Sequence, residues 1–254
     1  MDAPRPCSGP TLGVVVPTLD EEGELPALLA RLSGEGLDPA DRADQVVVAD
    51  GGSADRTRAI ALEHGALVAS APRGRGAQLA AGAALVSSDV LLFLHADTRP
   101  EVGALARLRA AFGDPQLVCS AMQQRIDARG AFYRLVERCA DARVRVAGLV
   151  YGDSGLAVRR AAYQASGGFR PLPIFEDLDL SRRLHLLARP RLIEGAVLRV
   201  SARRWQREGA LRATLRNWIL FAAYAAGASP ERLHRHYAPH SPHSPHSTGG
   251  EPRA

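Results

Sequence analysis

The residues able to do chemistry in this sequence are carboxylates and arginines that follow short apolar runs. Residues 92–98 read Leu-Phe-Leu-His-Ala-Asp-Thr, so an apolar stretch leads straight into His95 and, two positions on, Asp97. A carboxylate at the end of a strand is an oxygen ligand suited to Mg²⁺ or Mn²⁺. A histidine there is more often a structural hydrogen-bonding residue, with metal ligation as the second reading. Glu176 and Asp177 stand together where a helical pattern opens. Such a pair can complement the positive end of a helix dipole, or one member can take the proton from an attacking hydroxyl. Arg73-Gly74-Arg75-Gly76 sets two guanidinium forks beside a helix start, an arrangement suited to phosphate oxygens. Asp50-Gly51-Gly52-Ser53 follows another apolar run. It reads as a tight turn capped by Ser53, at a place where backbone amides and a carboxylate can hold a nucleotide.

These residues need elements to position them. Short runs rich in valine and leucine at 14–16, 46–49, 67–69 and 90–94 predict four strands of a sheet buried on both faces. Helical spacing at 25–32, 55–64 and 76–86 fills the intervals. Strict alternation implies right-handed βαβ units and an α/β, Rossmann-like, doubly wound and mostly parallel sheet, with ligands beyond the carboxyl ends of the strands. Each run is followed by polar or glycine-rich residues: Pro17-Thr18-Leu19-Asp20-Glu21-Glu22, then Asp50 to Ser53, then Arg73 to Gly76, then His95 to Asp97. All four groups are expected on one edge. Beyond Phe112 the pattern predicts a strand at 117–122, a helix at 132–147, a short strand at 155–158, a helix at 177–187, an extended segment at 189–200 and a helix at 210–226.

A chain of 254 residues, 46% hydrophobic, suits one large domain. We read it as residues 11–237, after an N-terminal extension of residues 1–10. Residues 238–254 repeat His-Ser-Pro around His240, His243 and His246 and are expected to be disordered. Cys7, Cys119 and Cys139 form no CxxC pair, so neither a disulfide framework nor a zinc site is indicated, and the reducing cytosol is the expected compartment. The first ten residues lack the basic start and apolar core of a secretory signal, and no apolar run is long enough to span a bilayer. The formal charge of +5 rests on arginine, yet aromatics make up only 5% and the arginines are dispersed. That composition argues against nucleic acid as a partner. A basic, apolar region from Arg203 through Arg207, Arg212, Arg216, Trp218 and Phe221 either packs within the domain or lies peripherally at the inner face of the cell membrane.

Taken together, the loop from Pro17 to Glu22 and the string Asp50 to Thr57 resemble the paired nucleotide-binding signatures of glycosyltransferase family 2. His95-Ala96-Asp97-Thr98 resembles the Asp-x-Asp element of GT-A enzymes with histidine in the first place. The order Gly152 to Arg160, then Gly167-Gly168-Phe169, then Glu176-Asp177 is similar to the acceptor half of that family. The resemblance implies a GT-A fold, with a donor-binding half at 11–115 and an acceptor half with a C-terminal helix at 116–237. It implies an inverting transfer from a nucleoside-diphosphate sugar to a hydroxyl of a lipid, carotenoid or small metabolite. Pro17, Thr18, Glu21, Asp50, Gly51 and Ser53 would contact the nucleotide, and Arg73, Arg75, Arg203 and Arg204 the phosphates. Asp97, with His95, would hold a divalent cation, Mg²⁺ or Mn²⁺. Asp177 would be the catalytic base, with Glu176 in reserve. The chain departs from the family at Asp20 and at Ala81-Gly82, where asparagine is frequent. A dinucleotide-dependent oxidoreductase would need Gly-x-Gly-x-x-Gly after the first strand, where this chain has Pro17-Thr18-Leu19-Asp20. A sugar-nucleotidyltransferase or other metal-dependent nucleotide-binding enzyme is the alternative, although its glycine-rich basic loop would follow strand one, whereas Arg73 to Gly76 follows strand three.

Overall fold

Valine alternation in the first strand, β1 (Leu12–Thr18), sets the architecture. Every residue of it is buried, and Val14 and Val16 pack into one apolar cluster while Val15 packs into another. A strand with apolar side chains on both sides must be covered on both faces. The next elements supply that cover. In α1 (Leu25–Ser33), Leu25, Leu28, Leu29 and Leu32 are fully buried at helical spacing, each contributing about 1.5–3 kcal/mol by burial. There follow β2 (Gln45–Asp50), α2 (Thr57–Glu63), β3 (Leu67–Ser70), α3 (Arg75–Leu85) and β4 (Val90–Phe93). The α1 leucines belong to the first cluster, and Leu79 and Ala83 of α3 to the second.

The second half is less regular. It comprises β5 (Thr98–Pro100), α4 (Ala104–Ala111), β6 (Cys119–Ile126), α5 (Ala131–Ala142), β7 (Ala157–Arg159), α6 (Arg160–Ala165), α7 (Glu176–Leu187), β8 (Arg191–Val200), α8 (Arg203–Glu208), α9 (Ala210–Ala225) and α10 (Pro230–His234). The expected helix at 132–147 ends at Ala142 and continues as a wider π turn, Arg143–Ala147. This computed structural model describes residues 9–236; the His-Ser-Pro tail, most of the N-terminal extension and the Arg204 side chain lie outside the described residues.

Among the described residues the sheet has eight strands in the order β3-β2-β1-β4-β7-β6-β8-β5. The pairs β1/β2, β1/β4, β2/β3 and β6/β8 are parallel, while β7 runs antiparallel to β4 and β6, and β5 antiparallel to β8. The sheet is therefore mixed and mostly parallel, as expected. Because β1 to β4 are mutually parallel, the four polar loops that follow them emerge along one edge. The β7 insertion brings the loops before β7 and α7 to the same place.

Candidate active site

The loops after β1 and β2 are locked to each other. The Thr18 carbonyl accepts from Gly51 N at 2.9 Å and from Gln78 Nε2 at 2.7 Å. Glu21 N donates to Thr57 Oγ1 at 2.8 Å, Ala54 N to Asp20 Oδ1 at 2.8 Å and Glu22 N to Asp55 Oδ2 at 3.0 Å. Asp20 adopts a left-handed conformation, φ 55°, which a short polar side chain tolerates. A Cβ at Gly51 would lie 2.8 Å from Gln78 Nε2 and displace the Gln78 amide from the Thr18 and Ala49 carbonyls. Asp50 is fully buried, and its carboxylate accepts from Gly52 N, Ser53 N and Ser53 Oγ and pairs with Arg58 Nη1 at 3.2 Å.

A cavity of about 320 Å³ opens beyond these loops. Pro17, Thr18 and Glu21 form one side, Arg73 and Arg75 another, and His95 and Asp97 a third. Burial raises the Glu21 pKa to about 7, with Asp97 and Glu24 adding to the effect and Arg203 opposing it. His95 follows β4, and its carbonyl is capped by Thr98 Oγ1 at 2.7 Å. Burial and then the nearby Arg75 charge depress the His95 pKa, against the pull of Asp97, Asp153 and Asp177, so the neutral imidazole is favoured near pH 7.

On the far side of the cavity Glu176 and Asp177 open α7. Glu176 is 1% exposed and accepts from Arg75 Nε at 2.8 Å; burial raises its pKa while Arg75 opposes the shift. This pair carries Arg75 into the cavity. Asp177 accepts from Gly152 N at 2.6 Å. It lines a second pocket of about 150 Å³ walled by Tyr151, Ile174, Phe175, Leu220 and Phe221. Arg75, His95, Asp153 and Asn217 line both cavities, which are thus contiguous. Gly152 fits between them because an added Cβ would lie 2.9 Å from His95 Nε2 and 3.2 Å from Asp177 Oδ2. Phe175, which precedes the acidic pair, has φ 62°. That conformation costs a bulky residue about 1–3 kcal/mol, and the Phe175 ring is stacked on Tyr224 with centroids 4.8 Å apart.

Residues 13–162, from β1 into α6, match the profile of glycosyl transferase family 2. The chain belongs to that family. Uncharacterised glycosyltransferases of Mycobacterium tuberculosis and Mycobacterium bovis are 35% identical over 104 residues, 41% of this chain and 44% of theirs. The match therefore spans less than half the length of those relatives. The fold is also that of solved structures. S. aureus TarS aligns with a TM-score of 0.62 at 17% identity, over 88% of this chain and 68% of that one. Glucosyl-3-phosphoglycerate synthase from Mycobacterium tuberculosis, in complex with Mn²⁺, uridine diphosphate and phosphoglyceric acid, aligns with a TM-score of 0.54 at 22% identity, over 76% and 70%.

Within this family 2 chain the structure brings Pro17, Thr18, Glu21, Arg73, Arg75, His95 and Asp97 around one cavity, with Asp177 in the adjoining pocket. Asp50, Gly51 and Ser53 are not among the residues that line that cavity; Gly51 N and Ser53 Oγ hydrogen-bond to the end of β1 and the loop after it, and Asp50 holds Ser53. Arg203 pairs with Glu24 and lines a neighbouring cavity that shares Asp97 and Ser201 with the first. Trp205 of α8, at the end of the Ser201 to Trp205 stretch, lines the main cavity, and so do Asn217 of α9 and His234 of α10, which sequence reasoning missed. Asp153, within the stretch 152–160, lines both cavities as well.

Proposed function

We propose that this protein transfers a sugar from a nucleoside-diphosphate sugar to an acceptor hydroxyl in one inverting displacement. The observation that carries the reading is the contiguity of the two cavities, with Arg73 and Arg75 on one side and the positioned Asp177 carboxylate on the other. Pro17, Thr18 and Glu21 receive the base and ribose in loops braced through Asp50, Gly51 and Ser53. Thr18 Oγ1 is buried with no partner among the described residues, the condition in which a bound ligand satisfies a polar atom. Arg73 and Arg75 meet the diphosphate, and Arg203 and Arg204 belong to the segment that closes on it. In the second pocket Asp177 takes the acceptor proton, its carboxylate oriented by Gly152 N, and the oxygen attacks the anomeric carbon as the nucleoside diphosphate leaves from the opposite face. Residues 11–115 then act as the donor half and 116–237 as the acceptor half, in the cytosol.

Among the described residues no group of three or more histidine, cysteine, aspartate or glutamate side chains could hold a metal ion. One carboxylate completed by substrate phosphates is the usual way Mg²⁺ is bound, so the donor set fits a cation shared with the diphosphate. Asp97, with His95 beside it, would hold that ion, whose chemistry when bound is to offset charge on the leaving group. Asp177→Asn tests the assignment. Nucleoside-diphosphate binding, measured by calorimetry, stays within about twofold while transfer falls about 10²–10⁴-fold, the range expected for a general base. Equal loss of both would remove Asp177 from that role.

A further inference from the structure

Helix α9 has two apolar faces and one of them is bare. Leu220, Phe221 and Tyr224 turn inward. Leu220 packs with Ile174 and Leu233, Phe221 lies 6.0 Å from the Tyr151 ring, and Tyr224 stacks on Phe175. On the other side Leu215, Trp218 and Ile219 are 61%, 61% and 59% exposed, and Ala222 is exposed as well. Their i, i+3, i+4, i+7 spacing makes one continuous stripe along the helix. Single exposed apolar residues need no explanation, but a stripe containing tryptophan does.

The charge of the segment that carries the stripe points to its occupant, with Arg212 and Arg216 on α9 itself. Residues 201–236 hold seven arginines and two glutamates, a surplus of five that equals the formal +5 of the entire chain. The rest of the molecule is balanced, so the net charge is concentrated in the segment that carries the bare stripe. An apolar face with tryptophan, flanked by arginine, is the composition of a helix lying in the headgroup region of an anionic bilayer. Among the described residues no helix is long and apolar enough to cross a membrane, which agrees with lying on one.

The buried face of the same helix supplies Leu220 and Phe221 to the pocket of Asp177, whose other walls include Tyr151, Ile174 and Phe175. Arg143 covers Tyr151, its guanidinium 3.5 Å from the ring centroid, and holds that wall in place. The apolar and aromatic walls suit a hydroxyl carried on hydrocarbon, while Arg75, His95, Asp153 and Asn217 form the polar side that the pocket shares with the donor cavity. We propose that α9 seats this protein on an anionic lipid surface through Leu215, Trp218 and Ile219, and that the acceptor is a lipid alcohol entering the pocket beneath that helix. The acceptor part rests on the reading of the Asp177 pocket given above; the docking part does not.

Sedimentation with vesicles tests the docking. Wild-type protein should bind vesicles containing about one-third phosphatidylglycerol at least about tenfold more tightly than pure phosphatidylcholine vesicles, with the difference shrinking as salt rises. The variant Leu215→Ser/Trp218→Ser/Ile219→Ser should lose that preference while its melting temperature still rises with uridine or guanosine diphosphate. Should the triple variant not fold, Trp218→Ser alone, at an exposed position, carries the same reading. Absence of vesicle binding at low salt overturns the docking. So does a dimer, seen by light scattering, that the triple variant dissociates. For the acceptor class, dodecanol should raise the melting temperature and glycerol at the same concentration should not; equal effects overturn it. Nucleotide stabilisation without vesicle binding would sink the docking alone, and vesicle binding without nucleotide stabilisation would sink the transferase reading, and the acceptor part with it, while leaving the docking in place.

Discussion

Glu21 gives the donor cavity a pH dependence of definite sign. Burial, reinforced by Asp97 and Glu24, lifts its pKa from 4.5 to about 7. Between those values the folded protein keeps a proton that the unfolded chain has released, so this residue makes stability fall as pH rises through the window. Glutamine in its place titrates nowhere. The melting temperature of Glu21→Gln minus that of wild type should therefore grow from pH 4.5 to about 7 and level off above; a difference that shrinks would contradict the burial of this carboxyl. Single residues were unevenly legible in the sequence. Asp97 and Asp177 stood out because each ends an apolar run or opens a helix, and both line cavities. Asp50 stood out equally, yet its carboxylate turns back onto Gly52 and Ser53. The direction of a side chain depends on neighbours that a linear motif does not contain.

Elements were most legible where one local rule acted alone. The first four strands are β-branched or leucine-rich runs that form with the expected alternation; β1, β2 and β4 are covered on both faces, whereas β3, at the sheet edge, leaves Leu67 exposed. The strand β5 was invisible because Thr98-Arg99-Pro100 has no strand-like pattern; it exists through pairing with Thr98↔Val200 and its neighbours, about a hundred residues away, at the sheet edge where proline is tolerated. Likewise α8, α9 and α10 bring Trp205, Asn217 and His234 over the carboxyl edge by a return of the chain that no spacing encodes. The turn Gly152–Ser154 is the element on which the proposed chemistry depends most closely. Its first residue fills the gap between His95 and Asp177 and donates to the latter. Gly152→Ala should push both side chains aside and lower turnover about 100-fold through misplacement of the base. Thermal stabilisation by nucleoside diphosphate should stay unchanged. A variant with full turnover would show that Asp177 needs no such positioning.

At the scale of the molecule, the sheet order explains why distant motifs converge. Parallel β1 to β4 carry four loops to one edge, and the antiparallel β7 beside β4 folds the Gly152 turn and the start of α7 against them. Membership of glycosyltransferase family 2 agrees with this layout, and the family profile covers the elements from β1 to the start of α6. The acidic pair and the C-terminal helices lie beyond the matched residues, so the acceptor side rests on the geometry of this chain. We propose that one cavity holds a nucleoside diphosphate together with a cation bound by Asp97. The most direct measurement is the melting temperature of the protein with uridine, guanosine and thymidine diphosphate sugars, with and without Mn²⁺. A ligand that binds only the folded state raises that temperature. At least one of these sugars should raise it strongly with Mn²⁺ and weakly without, in wild type and Asp177→Asn alike, and the Mn²⁺ dependence should vanish in Asp97→Asn. Stabilisation by none of them, or stabilisation in Asp97→Asn with the same Mn²⁺ dependence as wild type, would contradict the claim.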